Sequence, residues 1–258
     1  MPNAALPLFD LSDRVAVVTG GNRGIGFGMA RGLARAGADL ALWARDESQS
    51  AQAAEDLRAL GARVETIRCD VSQEADVVRA TEETIERMGK IHIGIANAGF
   101  GAAADLFRMD LDEWHRLLAT NLDGAFLTMR ELARSMKAQG EGGKLIAVSS
   151  ISALSGTPMQ PHYAASKGGL EALVRSLAVR LARYDIQVNA VEPGWIVTDA
   201  TQQAVDNEGF SDIVMKRTPA RRWGNPEDLE GIAIYFASNA SNYHTGDVAR
   251  IDGGYWIF

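Results

Sequence analysis

Arg14-Val15-Ala16-Val17-Val18-Thr19-Gly20-Gly21-Asn22-Arg23-Gly24-Ile25-Gly26 decides the fold. Its first half is apolar and β-branched, as a strand buried on both faces must be. Its second half opens a helix, Gly24 to Ala36, which Gly37 ends. Glycines 20, 24 and 26 therefore lie in the turn from strand to helix. Without side chains there, a dinucleotide pyrophosphate could approach the backbone and the free N–H groups of the helix start. The spacing is G-x-x-x-G-x-G, not the more familiar G-x-G-x-x-G. A plain tight turn is the alternative.

The same alternation continues along the chain. Strands are expected at 14–19, 39–44, 64–68, 91–96, 144–148, 187–192 and 248–251. Helices are expected at 47–60, 75–88, 111–139 with a bend near Asn121–Gly124, 163–184 and 226–237. Asn225 would cap the last of these, and Pro226 would take its first position. Such alternation implies an α/β domain: one doubly wound parallel sheet of about seven strands, covered by helices on both faces. Residues 195–225 hold no strand pattern and read as a lid within the same single domain, 1–258.

Composition narrows the function classes. Of 258 residues 47% are hydrophobic and 23% charged, which is ordinary globular material. A surplus of 33 acidic over 26 basic side chains, net -7, argues against a nucleic-acid binder. The lone Cys69 allows no disulfide within the chain and no cysteine zinc cluster. Met1 to Phe9 lacks the pattern of a signal peptide, and no apolar run reaches membrane-spanning length. A cytoplasmic location is the resulting expectation, with no membrane partner. His92, His115, His162 and His244 show no ligand spacing, so no metal is expected. His162 reads as a surface histidine, with the substrate mouth as the alternative.

Acidic residues usually end the second strand where NAD is bound, holding the ribose 2′-hydroxyl. Here Ala44 and Arg45 stand at that place, and Arg23 lies in the glycine turn. Two guanidinium groups suit a 2′-phosphate, which favours NADP over NAD. Asp46 and Glu47 count against this, and a solvated Arg45 is the alternative. Asp70, before Val71, could accept from an adenine amino group or cap the next helix, as could Ser72. Asn97-Ala98-Gly99 follows the fourth strand, at the sheet edge where such folds bind ligands.

Tyr163 and Lys167 are one helical turn apart, and Ser150 lies thirteen residues before the tyrosine. A fixed ammonium would favour phenolate and lower the tyrosine pKa from about 10 toward the range useful for proton transfer.

Taken together, Thr19-Gly20-x-x-x-Gly24-x-Gly26, Asn97-Ala98-Gly99, Asn121, Ser150, Tyr163-x-x-x-Lys167 and Pro193-Gly194 resemble the short-chain dehydrogenase/reductase family in its compact branch. The likeness spans essentially the whole chain. Ala96 departs from the family's Asn-Asn-Ala-Gly. The resemblance implies a Rossmann-like fold and NAD(P)-dependent hydride transfer between a secondary alcohol and a ketone. It implies that Tyr163 transfers the proton, Ser150 holds the substrate oxygen, Lys167 lowers the tyrosine pKa and binds the nicotinamide ribose, and Asn121 holds a relay water. It places Gly20, Asn22, Arg23, Ile25, Arg45, Asp70, Val71, Asn97, Gly99, Tyr163, Lys167, Pro193, Gly194, Ile196 and Thr198 at the cofactor.

The segments Thr198–Gln203 and Pro219–Gly224, and the opening Leu8-Phe9-Asp10-Leu11, are similar to members acting on sugar acids, gluconate 5-dehydrogenases and 2-deoxygluconate 3-dehydrogenases. Arg221 or Arg222 could pair with a substrate carboxylate, cap a helix or meet a neighbouring subunit. A 3-oxoacyl-thioester reductase is the second enzymatic reading, and a dinucleotide-sensing regulator the non-enzymatic one. The resemblance further implies a homo-tetramer, and the apolar end Tyr255-Trp256-Ile257-Phe258 fits burial against another copy.

Overall fold

The computed structural model describes residues 7–258. Met1–Leu6, most of the stretch read for a signal peptide, lies outside them.

The chain runs β1 (Val15–Thr19), α1 (Gly24–Arg35), β2 (Asp39–Ala44), α2 (Glu47–Arg58), β3 (Val64–Arg68), α3 (Glu74–Met88) and β4 (Ile93–Ala96). There follow α4 (Leu111–Leu118), α5 (Gly124–Gln139), β5 (Gly143–Val148), α6 (Pro161–Leu181) and β6 (Ile186–Pro193). The last part holds α7 (Gln202–Asp206), α8 (Glu208–Arg217), α9 (Glu230–Ala237) and β7 (Val248–Ile251). All seven strands are parallel, in the order β3-β2-β1-β4-β5-β6-β7. The chain winds outward from β1 to β3, then returns to β4 on the other side of β1. The crevice at the carboxyl ends of β1 and β4 is therefore the topological switch point, where open α/β sheets bind ligands.

Strand alternation separates two apolar layers. Ala16, Val18, Leu40 and Leu42 face α1, α2 and α9, whereas Val17, Ala41 and Trp43 face the layer of α3, α5 and α6. Trp43 is sealed in that second layer and donates its indole N–H to Thr84 of α3 at 3.0 Å. Both faces of the central strands are covered, which is why β1, β2, β4 and β5 read as apolar stretches, whereas the edge strands β3 and β7 are only partly buried.

Two expected helices differ in detail. The stretch 111–139 is not simply bent: Ala119–Asp123 forms a π-helical turn between α4 and α5, and Gly124 N–H reaches back five residues to Ala119 O. The first turn after Asn225 is a 3-10 turn, Pro226–Leu229, before α9 starts. There Asn225 N–H donates to the Asp228 carboxylate at 2.7 Å, which tightens that turn. Neither Asp70 nor Ser72 caps α3. Its N-cap is Gln73, and the Asp70 carboxylate instead accepts from Ser72 N–H and Oγ at 3.1 and 2.8 Å.

Candidate active site

The glycine-rich turn is shaped by its backbone. Gly20 and Gly24 have φ of 62° and 54°, a region costly for any residue with a Cβ. Asn97 holds this turn against the end of β4: its side-chain amide donates to Thr19 O at 2.9 Å and Gly20 O at 3.2 Å. Thr19 Oγ1 in turn accepts from the N–H groups of Asn97 and Ala98, both at 3.0 Å. Asn97 thus braces the switch point rather than offering its amide outward. A Cβ on Gly26 would collide with that amide and with Gly20 O. Thr198 comes over the turn from the other side, with its methyl group 3.3 Å from where a Gly24 Cβ would stand. The glycine backbone at a helix start, with no side chain of its own at 20, 24 and 26, fits a pyrophosphate.

The rim of the turn carries the expected cations. Arg23 is exposed, and Arg45, directly after β2, is 70% exposed with Asp70 3.8 Å away. Asp46, the carboxylate that argued for NAD, is engaged elsewhere. It N-caps α2 by accepting from Gln49 N–H at 3.0 Å, and that bond with the one from Ser48 holds its pKa below the ordinary range. Asn22 turns to Ser50 Oγ at 3.3 Å, and Ile25 packs on the first apolar layer. Val71 is buried against Gly124. Gly99 abuts Asn121 Oδ1, a Cβ on it standing 3.2 Å away. Pro193 ends β6 fully buried, and Gly194 N–H donates to Ile251 O at 3.0 Å. Ile196 is 4% exposed and belongs to the core, and its carbonyl oxygen accepts from Thr201 Oγ1 at 2.7 Å. Thr198 N–H donates to Thr201 Oγ1 at 2.9 Å.

Ser150, Tyr163 and Lys167 converge beyond the carboxyl end of β5. The two neighbouring serines diverge: Ser149 is buried and donates to Glu171 at 2.8 Å, whereas Ser150 Oγ accepts from Ser152 N–H at 3.2 Å and its hydroxyl favours the ionised Tyr163 phenol. Lys167 is buried and donates to Val148 O at 2.7 Å. Burial pushes its pKa down to about 8. The expected depression of Tyr163 is not found in this structure. Burial pushes the phenol upward, opposed by the Ser150 hydroxyl, because Lys167 aims at a carbonyl and over the tyrosine ring, 5.6 Å from its centre. Asn121 is sealed in the π-helical turn with both amide atoms on Phe100, accepting its N–H at 3.0 Å and donating to its O at 2.9 Å.

Other expectations are corrected. His162 is not at the surface: it is 0% exposed beneath α4, neither ring nitrogen has a partner among the described residues, and burial lowers its pKa. Of the roles open to Arg222, the structure shows it bound to Asp228 by two bonds of 2.6 and 2.8 Å. Arg221 donates to Lys216 O at 2.8 Å and so closes the end of α8. Residues 195–225 carry α7 and α8 on a neck where Val197 N–H meets Gly224 O and Gly224 N–H meets Trp195 O, both at 2.9 Å. Trp195 stacks edge-on with Phe210 and Trp223 at 5.1 and 5.5 Å, tying the insertion together. Among the described residues there is no cluster able to hold a metal and no helix long and apolar enough to cross a membrane.

Sequence reasoning missed the brace of Asn97, the cap made by Asp46 and the Ser149–Glu171 bond. Glu171 had a signal: it stands eight residues after Tyr163, on the same helix face as Lys167.

The parallel sheet, the glycine cradle at its switch point and the serine, tyrosine and lysine beside it define a nicotinamide-dependent oxidoreductase acting on alcohols and carbonyls. A family model described as enoyl-(acyl carrier protein) reductase matches residues 20–256. Gluconate 5-dehydrogenase of Gluconobacter oxydans is 36% identical over 247 residues, 96% of each chain. A crystal structure of a short-chain type dehydrogenase/reductase from Mycobacterium marinum is 37% identical, with TM-score 0.92 over 96% of this chain and 97% of that one. A gluconate 5-dehydrogenase from Burkholderia cenocepacia, in complex with NADP and tartrate, is 39% identical, with TM-score 0.94 over 98% of this chain and 99% of that one. The chain belongs to the short-chain dehydrogenase/reductase family and uses NAD or NADP.

Proposed function

We propose that this oxidoreductase interconverts a secondary alcohol and a ketone on a sugar acid or related polyol, with NADP as the preferred cofactor. The likeness to gluconate 5-dehydrogenases, one of them crystallised with NADP and tartrate, carries the substrate class. The commitment of Asp46 to its helix cap, with Arg23 and Arg45 left on the rim, supports NADP.

The glycine turn, Asp70, Val71, Gly99, Gly194 and Thr198 would hold the cofactor, with Asn97 bracing the turn. When bound, the nicotinamide supplies or accepts the hydride. The chain supplies the proton and its path. Tyr163 donates from its hydroxyl to the substrate oxygen during reduction and takes that proton back during oxidation. Ser150 donates a hydrogen bond to the same oxygen as its charge develops. Lys167, with an ammonium of lowered pKa, sits one turn behind the tyrosine to replenish the proton. Both Asn121 amide atoms are taken by Phe100, so a relay water would sit on main-chain oxygen at the π-helical turn. Residues 195–225 would cover the substrate.

A screen of gluconate-type acids, polyols and acetoacetyl thioesters, each with NADP and NAD, tests this reading. Turnover is expected with a sugar acid. Faster reduction of the thioester would overturn the substrate class. Tyr163→Phe is expected to keep cofactor binding and to lose about two to four orders of magnitude in kcat.

The exposed apolar side chains Leu111, Phe126 and Val179 on α4 to α6, with Ile257 and Phe258 at 83% and 69% exposure, support a homo-tetramer. A monomer by light scattering at micromolar concentration would refute it.

A further inference from the structure

α6 turns three polar side chains toward the end of β5, one turn apart: Tyr163, Lys167 and Glu171. Two of them grip consecutive residues of the strand end. Lys167 Nζ donates to Val148 O at 2.7 Å, and Glu171 accepts from Ser149 Oγ at 2.8 Å. Ser149 N–H also donates to Val191 O at 2.7 Å, so this residue is held from the sheet and from the helix at once. The next residue is Ser150, where the chain leaves the strand for the 3-10 turn Ile151–Ala153.

Glu171 holds that hydroxyl from a buried position. It is 6% exposed, and among the described residues its carboxylate accepts one side-chain hydrogen bond, from Ser149. It also repels a second buried carboxylate, Glu192 of β6, whose partner is Arg250 at 3.2 Å. A buried carboxylate is seldom the choice for stability alone, since an apolar residue of similar volume is often as good or better there. What it does supply is a fixed acceptor at one point.

We propose that Glu171 is a positioning residue for the reaction: through Ser149 Oγ it fixes the strand end from which Ser150 reaches the substrate oxygen. The inference rests on Ser150, Tyr163 and Lys167 being the reacting site.

The test is steady-state kinetics on the full chain, with folded sites counted by NADPH fluorescence titration. Glu171→Ala is expected to lower kcat per site about tenfold to a hundredfold, because a misplacement near 1 Å can cost that much, with NADPH affinity unchanged. Ser149→Ala should do the same, and the double variant should be no worse than either single one. Glu171→Gln keeps an oxygen that accepts from Ser149 and should recover most of the lost kcat. The proposal fails if Ser149→Ala keeps the parent kcat per site, or if Glu171→Gln is no better than Glu171→Ala. It fails equally if kcat and NADPH affinity fall together, which is the mark of general loosening. Should Glu171→Ala not fold, Ser149→Ala and Glu171→Gln decide: the first must lose kcat per site and the second must keep most of it. Tyr163→Phe separates the two levels. If that variant stays active the site reading falls. If it is inactive while Ser149→Ala and Glu171→Ala are not, only the role of Glu171 falls.

Discussion

Lys167 presents its ammonium to the carbonyl oxygen of Val148, 2.7 Å away, and stands over the ring of Tyr163 rather than at its hydroxyl. The two side chains are one helical turn apart, yet the charge does not meet the group it was expected to acidify. Burial therefore dominates the phenol and pushes its pKa above the ordinary value of 10.0. Without cofactor, the difference in tyrosinate absorbance between the parent and Tyr163→Phe should appear only above pH 10. A difference that titrates near neutrality would show that the chain alone tunes the acid.

Lys167 makes an opposite contribution to stability. Its pKa is lowered from 10.5 in a free chain to about 8 in the fold. Between those values the unfolded chain holds a proton that the native state has released, so stability rises with pH across that window. Lys144, also lowered to about 8 by burial, adds to the rise. Denaturant melts of the parent and Lys167→Met from pH 7 to 10.5 should show a shallower rise in the variant. Parallel curves would refute the assignment.

Gly26→Ala places a methyl group too close to the Asn97 amide and to Gly20 O, so that one or both must shift. Loss of the Asn97 brace should weaken NADPH binding at least tenfold, more than it lowers kcat at saturating cofactor. Fluorescence titration reads the first quantity and initial rates the second. Unchanged affinity would mean that the turn adapts.

Arg45→Asp reverses the charge at the end of β2, next to Asp70. A charge-assisted bond to a 2′-phosphate is worth about 1.5–3 kcal/mol, so the NADP:NAD ratio of kcat/KM should fall by about ten- to a hundredfold. A ratio that stays put would reduce Arg45 to a surface charge.

Much of this architecture was legible from residue order. The central strands β1, β2, β4 and β5 are legible because burial gives them apolar stretches, whereas the edge strands β3 and β7 are only partly buried and carry Glu65, Arg68 and Arg250. Helix starts were less legible, because Asp70 and Ser72 have capping chemistry yet spend it on each other, leaving Gln73 at the boundary. His162 was misread because its surroundings are supplied by α4, some fifty residues earlier in sequence, and no local pattern reports that cover. Sequence leaves Arg222 open among three roles for a related reason: only the fold brings it to Asp228, in bidentate form. The motif residues of the site could be read as types at spacings. Which of them brace and which remain open, as with Asn97 and Thr198, depends on distances that spacing does not carry.

The five residues Ala119–Asp123 hold one more residue than an α-helical turn would. Chain length between α4 and α5 is consequently a quantity the site has to keep. Excise a single residue there and the two helices could fuse into one regular rod. The flanking helices would keep about their present faces, because the five residues of the wider turn cover about the rotation of four α-helical ones, and only the residues inside the turn would shift. Asn121 would be carried off the Phe100 backbone without any change to its own chemistry, so this stretch should tolerate exchanges of residue far better than shortening.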